Sequence, residues 1–208
     1  MRNKSKISTA SINQNFWAPP ALPFLEIRST YDSLSPYAEH FHQDFSLGLI
    51  LKGSTAFTCG SSEHLAEAGD LVLIEPNQVH SCNPVDGQSR SYHMLYIDSG
   101  WCSELCGLTS STISWGLKRR ILKNPDIYQK ILKFVEAVQA GTSDRLSSLE
   151  NIIREMLVDN LVSQPPAKNS EALEKARGIL SGSPRRRRGL KNLAEALETT
   201  RRIGARET

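Results

Sequence analysis

From Phe24 to Asp98 the chain is interrupted every few residues by glycine or proline, and this punctuation restricts its fold more than any other feature. Gly53, Gly60, Gly69, Pro76, Pro84 and Gly87 separate most of the strand-length segments FLEIRST, FSLGLILKG, STAFTCG, EHLAEAG, DLVLIEP and SYHMLYID. Helices of ordinary length do not fit between such breakers, whereas short strands joined by turns do. Phe45, Leu47, Leu49 and Leu51 share one face of a strand at period two, as do Tyr92, Met94 and Tyr96. Six or more short strands in so short a span predict an antiparallel barrel or sandwich. His93 is one position out of phase with Tyr92 and Met94 and so faces the other side of its strand; the pattern leaves open which side looks inward.

After Asp98 the apolar period becomes helical. Asn124, Pro125 and Asp126 form a helix start, and Ile127, Ile131, Phe134, Val135 and Val138 give one stripe before Gly141. A second helix fits Asp144 to Val162, with Leu146, Leu149, Ile153, Met156, Leu157 and Leu161 as its stripe. The predicted organisation is an N-terminal arm over 1–23, a mostly β, antiparallel barrel over 24–120, a helical hairpin over 121–162, a linker over 163–170 and a short, incomplete helical segment over 171–208. The arm opens on small polar residues and continues as FWAPPALPF, whose prolines exclude a helix; the linker is SQPPAKNS.

Apolar and charged fractions of 39% and 23% are those of folded globular proteins rather than disordered ones. No stretch approaches the ~18 apolar residues of a membrane span, and Met1 to Ala21 lack a signal-peptide core, so the reading is cytoplasmic, with no membrane partner. Cys59, Cys82, Cys102 and Cys106 contain no Cys-x-x-Cys pair, which argues against a zinc knuckle or a thioredoxin-like motif. The net charge of +3 does not announce nucleic-acid binding, yet Arg185, Arg186, Arg187 and Arg188, with Lys191, form a phosphate-binding patch weighed against a solvated loop.

Four of the five histidines fall at suggestive places: His40 and His42 as His-x-His, His80 after DLVLIEP, and His93 in the last strand. On a strand, His-x-His points both imidazoles to one face, where a third histidine can complete a metal site. His64, on a short polar segment, reads as a surface residue. Cys82, two residues after His80, suggests a Cys/His nucleophilic pair, but no acid or oxyanion element accompanies it.

The stretches HFHQDFSLGLILKGSTAFTCG, EAGDLVLIEPNQVHSCNP and SYHMLYID resemble, in order, the sensor domain of AraC-family transcription regulators, a cupin barrel. The resemblance implies a small-molecule effector bound in the barrel, with His40, His42, His80, Tyr92, Met94 and Tyr96 as ligand-contacting residues, no cofactor and no catalytic residue. In metal-binding cupins the first motif supplies two histidines and a glutamate, and the second another histidine. His40, His42 and His80 match, but Gln43, Asp44, Phe45 and Ser46 offer only an acid placed too early, and Pro76 to His80 is one residue short of the metal enzymes' spacing. These departures favour ligand contact over metal; the rival is a stand-alone cupin enzyme using the three histidines on iron, manganese or zinc.

The family's helical hairpin mediates dimerisation, so the resemblance implies a homodimer through the Asp144 to Val162 helix. EALEKARGIL and LKNLAEAL resemble the opening of the family's helix-turn-helix region, while ETTRRIGARET supplies no recognition helix. The expectation is a truncated DNA-binding half with weak, nonspecific DNA contact and mixed dimers with a full-length relative.

Overall fold

The computed structural model describes residues 13–107, 116–142 and 146–161. The Asp144 and Val162 ends of the second predicted helix, the linker, the arginine run with Lys191 and the segment 171–208 lie outside the described residues. Nine strands, all paired antiparallel, and three helices are described. The strands are β1 (Asn13–Trp17), β2 (Leu25–Ser33), β3 (Phe45–Lys52), β4 (Ser54–Cys59), β5 (Ser62–Glu67), β6 (Leu71–Ile74), β7 (His80–Pro84), β8 (Arg90–Ile97) and β9 (Ile121–Leu122). The helices are α1 (Ser99–Leu105), α2 (Pro125–Gln139) and α3 (Leu146–Asn160). One sheet has six strands in the order β1-β2-β8-β3-β6-β9; the other has three, in the order β5-β4-β7.

A mostly β, antiparallel N-terminal half followed by helices is the architecture that the punctuation and the later helical period predict. Gly53 makes the sharp β3 to β4 turn at a φ of +74°, where a Cβ would stand 2.5 Å from the Ser89 carbonyl oxygen, so only glycine fits. Two apolar layers hold the chain together. Between the sheets lie Ile50, Phe57, Ala66, Val72 and Ile74. On the other face of the six-stranded sheet, Ile27, Leu47, Leu49 and Leu95 join Ile131, Phe134 and Val135 of α2 and Leu149, Ile153 and Leu157 of α3. The larger sheet is thus covered on both faces.

Helix α2 begins where its residues dictate. The Asn124 side chain accepts the Ile127 N–H at 3.1 Å, Pro125 occupies the first turn, and Gly141 follows at a φ of +70°. The strands extend past the expected barrel at both ends, because β1 adds an edge strand from within the arm and β9 pairs with β6. Arg120 fixes that second extension: it donates to both carboxylate oxygens of buried Glu75, at 2.6 and 3.2 Å. Such a bidentate, charge-assisted pair is geometrically specific.

The apolar stripe of the second predicted helix turns inward: Leu149, Ile153, Met156 and Leu157, joined by Ile152, are buried in the chain's own core, and Leu161 packs against it. The helices cover the otherwise bare outer face of the six-stranded sheet. Val158 stands 60% exposed on the opposite side of α3. Among the described residues no helix is long and apolar enough to cross a membrane.

Candidate ligand-binding site

The antiparallel register decides which side chains meet between the sheets. Directly paired residues share a face, and β8 lies between β2 and β3. Arg28 pairs with Met94 and Met94 with Gly48; Glu26 pairs with Tyr96 and Tyr96 with Ser46. All of these face the smaller sheet, whereas His93 faces the helices. Its Nδ1 lies 2.6 Å from the Ser29 hydroxyl, which also accepts from the Gln139 amide of α2 at 2.9 Å.

A cavity of about 460 Å³, counting its open mouth, lies between the sheets. Its walls include Arg28, Tyr37, His42, His80, Tyr92 and Met94. Tyr96 stands beside it, its ring 4.9 Å from that of His42 and 5.6 Å from the Arg28 guanidinium carbon. The six residues expected to contact a ligand are therefore brought together, with His40 also in the wall.

The histidines converge by a different route from the expected one. His40 and His42 are not on a strand. They lie on the segment leading into β3, where His40 and His80 form a two-residue bridge with N···O distances of 3.0 and 2.9 Å. The Asn77 N–H to His42 carbonyl bond, 2.6 Å, pins the second histidine. Ring centroids lie 4.4 to 5.3 Å apart, and the three side chains offer nitrogens all within 4.8 Å of one another. His40 Nδ1 is 2.7 Å from the Ala38 carbonyl, and His80 Nδ1 is 2.8 Å from the Gln78 carbonyl. A carbonyl only accepts, so in the neutral ring Nδ1 carries the proton and Nε2 presents a lone pair. Burial, with repulsion from its neighbours, lowers His42 to about 3. Burial likewise lowers His80 to about 4. Both are neutral at pH 7.

Sequence reasoning missed the most charged residues of the site. Arg28 and Arg90 are buried at 7% and 1% exposure and share the tyrosine-lined wall. Arg90 donates to the Thr55 hydroxyl at 2.7 Å and to the Cys82 and Ser35 carbonyls at 2.7 and 3.3 Å, which ties the sheets together. Arg28 lies against the rings of Tyr37, Tyr92 and Tyr96 at 5.5 to 5.7 Å. The available signal was an arginine in FLEIRST, directly after the strand's apolar residues Leu25 and Ile27. Cys82 also lines the cavity, but burial pushes its thiol up to about 11, which keeps it protonated and a poor nucleophile. His64 is half-buried against Phe57, with rings 5.9 Å apart, rather than on the surface.

Two antiparallel sheets with a cavity between them and a helical cover define a β domain built around an internal chamber. The model of the family described as the AraC-like ligand binding domain matches residues 25–156, and the chain belongs to that family. It is 31% identical over 64 residues to YbfI, an uncharacterized HTH-type transcriptional regulator of Bacillus subtilis (strain 168); the match covers 31% of this chain and 23% of that protein. The chain thus spans less than a quarter of that relative.

Solved structures similar to it include two cupins. A cupin 2 conserved barrel domain protein from Salinispora arenicola has 18% identity and a TM-score of 0.37 over 43% of this chain and 77% of that one. An RmlC-like cupin from Methanocaldococcus jannaschii has 13% identity and a TM-score of 0.34 over 36% and 70%.

Proposed function

We propose that this chain is the effector-sensing part of a cytoplasmic transcription regulator, holding a small molecule between its sheets. The observation that carries the reading is the cavity itself, walled by buried tyrosines, histidines and an arginine within a domain of the AraC-like ligand binding family. Apolar walls with a few fixed polar groups are the usual composition of such pockets. His40, His42, His80, Tyr92, Met94 and Tyr96 contact the effector. Two copies pair through α3, whose solvent side carries exposed Val158, and the chain itself makes only weak, nonspecific contact with DNA. Calorimetric screening of small metabolites against the purified chain tests the sensing role. The expected result is a saturable ligand whose affinity falls at least tenfold in Tyr92→Ala or His80→Ala. A ligand bound equally well by both variants would overturn the site.

The convergence of His40, His42 and His80 favours a second reading, a metal-dependent enzyme. One ring nitrogen from each histidine suits a transition metal, and the carbonyl-anchored Nδ1 atoms of His40 and His80 would orient those two rings. A bound metal would supply Lewis-acid or redox chemistry. Metal analysis separates the readings: near-stoichiometric metal that is lost in His42→Ala supports the enzyme, and its absence in protein prepared without chelators supports the sensor.

A further inference from the structure

We propose that the effector is a small organic monoanion, a carboxylate with a short apolar or aromatic body, and that Arg28 is its counter-ion. The inference rests on the sensing role above and names the chemistry of its ligand. Arg28 remains charged at any working pH. Its Nε is buried without a hydrogen-bond partner, and it forms no ion pair among the described residues. Its surroundings are ring faces, which attract a cation without satisfying its N–H donors. Arg90 shares the unpartnered, buried Nε, but its two terminal nitrogens already meet three oxygen acceptors, which those of Arg28 do not.

Two further groups point the same way. The Tyr96 hydroxyl and the Ser46 hydroxyl are buried and unpartnered. Tyr96 and Ser46 are register partners on the same face as Arg28, and burial pushes the Tyr96 phenol up to about 12, so it keeps its proton to donate. Unused donors therefore cluster on three adjacent strands. No Asp or Glu lines the cavity among the described residues. Glu26, two residues before Arg28, is half-buried and forms no ion pair with it.

A buried, unpaired charge is strongly unfavourable, and so are orphaned hydroxyls. An arginine fork donates to the two oxygens of a carboxylate side by side, and with Arg90 already engaged by three oxygens, the one free cation of the wall among the described residues calls for one negative charge. Ile50, Val72 and Met94, beside the tyrosine rings of the same wall, suit an apolar body.

The test is thermal unfolding of the whole chain with acetate, propionate and benzoate, set against acetamide, propionamide and benzamide at matched ionic strength, with inorganic phosphate as a separate arm. At least one carboxylate should raise the midpoint saturably, by roughly 3 °C at tenfold excess over its Kd, while its amide does not. Arg28→Met should lose that response and, without ligand, melt above the wild type, because an unpaired buried charge has gone. A structural arginine would instead lower the midpoint when replaced, and that result overturns the inference. Equal shifts from acid and amide also overturn it while leaving ligand sensing intact. An Arg28-dependent response to phosphate alone overturns the carboxylate assignment, and so does the absence of any carboxylate-specific shift.

Discussion

The two faces of the six-stranded sheet are built from alternate residues of the same strands and do different work. Toward the helices, β2, β3 and β8 present Ile27, Leu47, Leu49 and Leu95, all fully buried. Toward the smaller sheet the same strands present Met94 together with Arg28, Ser46, Tyr92 and Tyr96, also buried but, methionine apart, polar or aromatic. A strand buried on both faces needs little polar alternation, so the polar side chains at the inner phase set that face apart. One face supplies cohesion; the other carries the proposed recognition site.

Met94 and Leu95, neighbours on β8, give the sharpest contrast. Leu95→Ala should cost about 3 kcal/mol, since it empties a site with no room to relax. Chemical denaturation should show the midpoint collapsing; a cost below about 1 kcal/mol would mean that the helix-side core is loosely packed. Met94→Ala should cost less, about 1 kcal/mol, because the side chain already borders the cavity and the added void joins space open to water. Equal costs for the two variants would erase the distinction between the faces.

Acid should act on the helix-side face through His93. Burial lowers this imidazole to about 4 from 6.5. The folded state therefore favours the neutral ring, and the unfolded chain binds the proton more readily. The resulting stability is fully present above pH 6.5 and is lost as pH falls toward 4. The unfolding free energy measured across that window should decline less in His93→Gln than in the wild type; parallel slopes would show that other groups set the acid limit.

The smallest effect belongs outside both faces. Lys52 and Asp32 form a 3.0 Å ion pair with both side chains about two-thirds exposed. Lys52→Ala should change stability by less than about 0.5 kcal/mol, and added salt should remove even that. A larger loss would place the edge of the sheet among the determinants of the fold.

Much of this was legible in the residues. Glycines and prolines marked the turns and so the strand-length segments of β2, β4, β5 and β6, and the period-two pattern marked β3 and β8. Asn124-Pro125 marked the start of α2. Strand β7, HSCNP, escaped because it has almost no apolar alternation and is made a strand by pairing with β4. Helix α1 escaped because it is one short segment, SGWCSEL, held by the Asp98 cap on the Trp101 N–H and by Trp101 stacked 4.1 Å from Phe24. The histidine cluster was anticipated from spacing, although its members meet across a bridge rather than along a strand. Arg28 went unnoticed because charge in a strand signals exposure unless the register is known, and register is a tertiary property.

Arg28 and Ser29 are consecutive, and a strand turns consecutive side chains to opposite sides. The first stands in the cavity wall; the second holds the C-terminal end of α2 through Gln139 and shares its hydroxyl with His93. A single peptide unit, about 3.8 Å from one Cα to the next, is therefore all that separates the chamber from its helical roof. Mechanically it is a short, stiff rocker: any tilt of that unit which lets the arginine move must carry the serine with it, with no loop between them to absorb the motion.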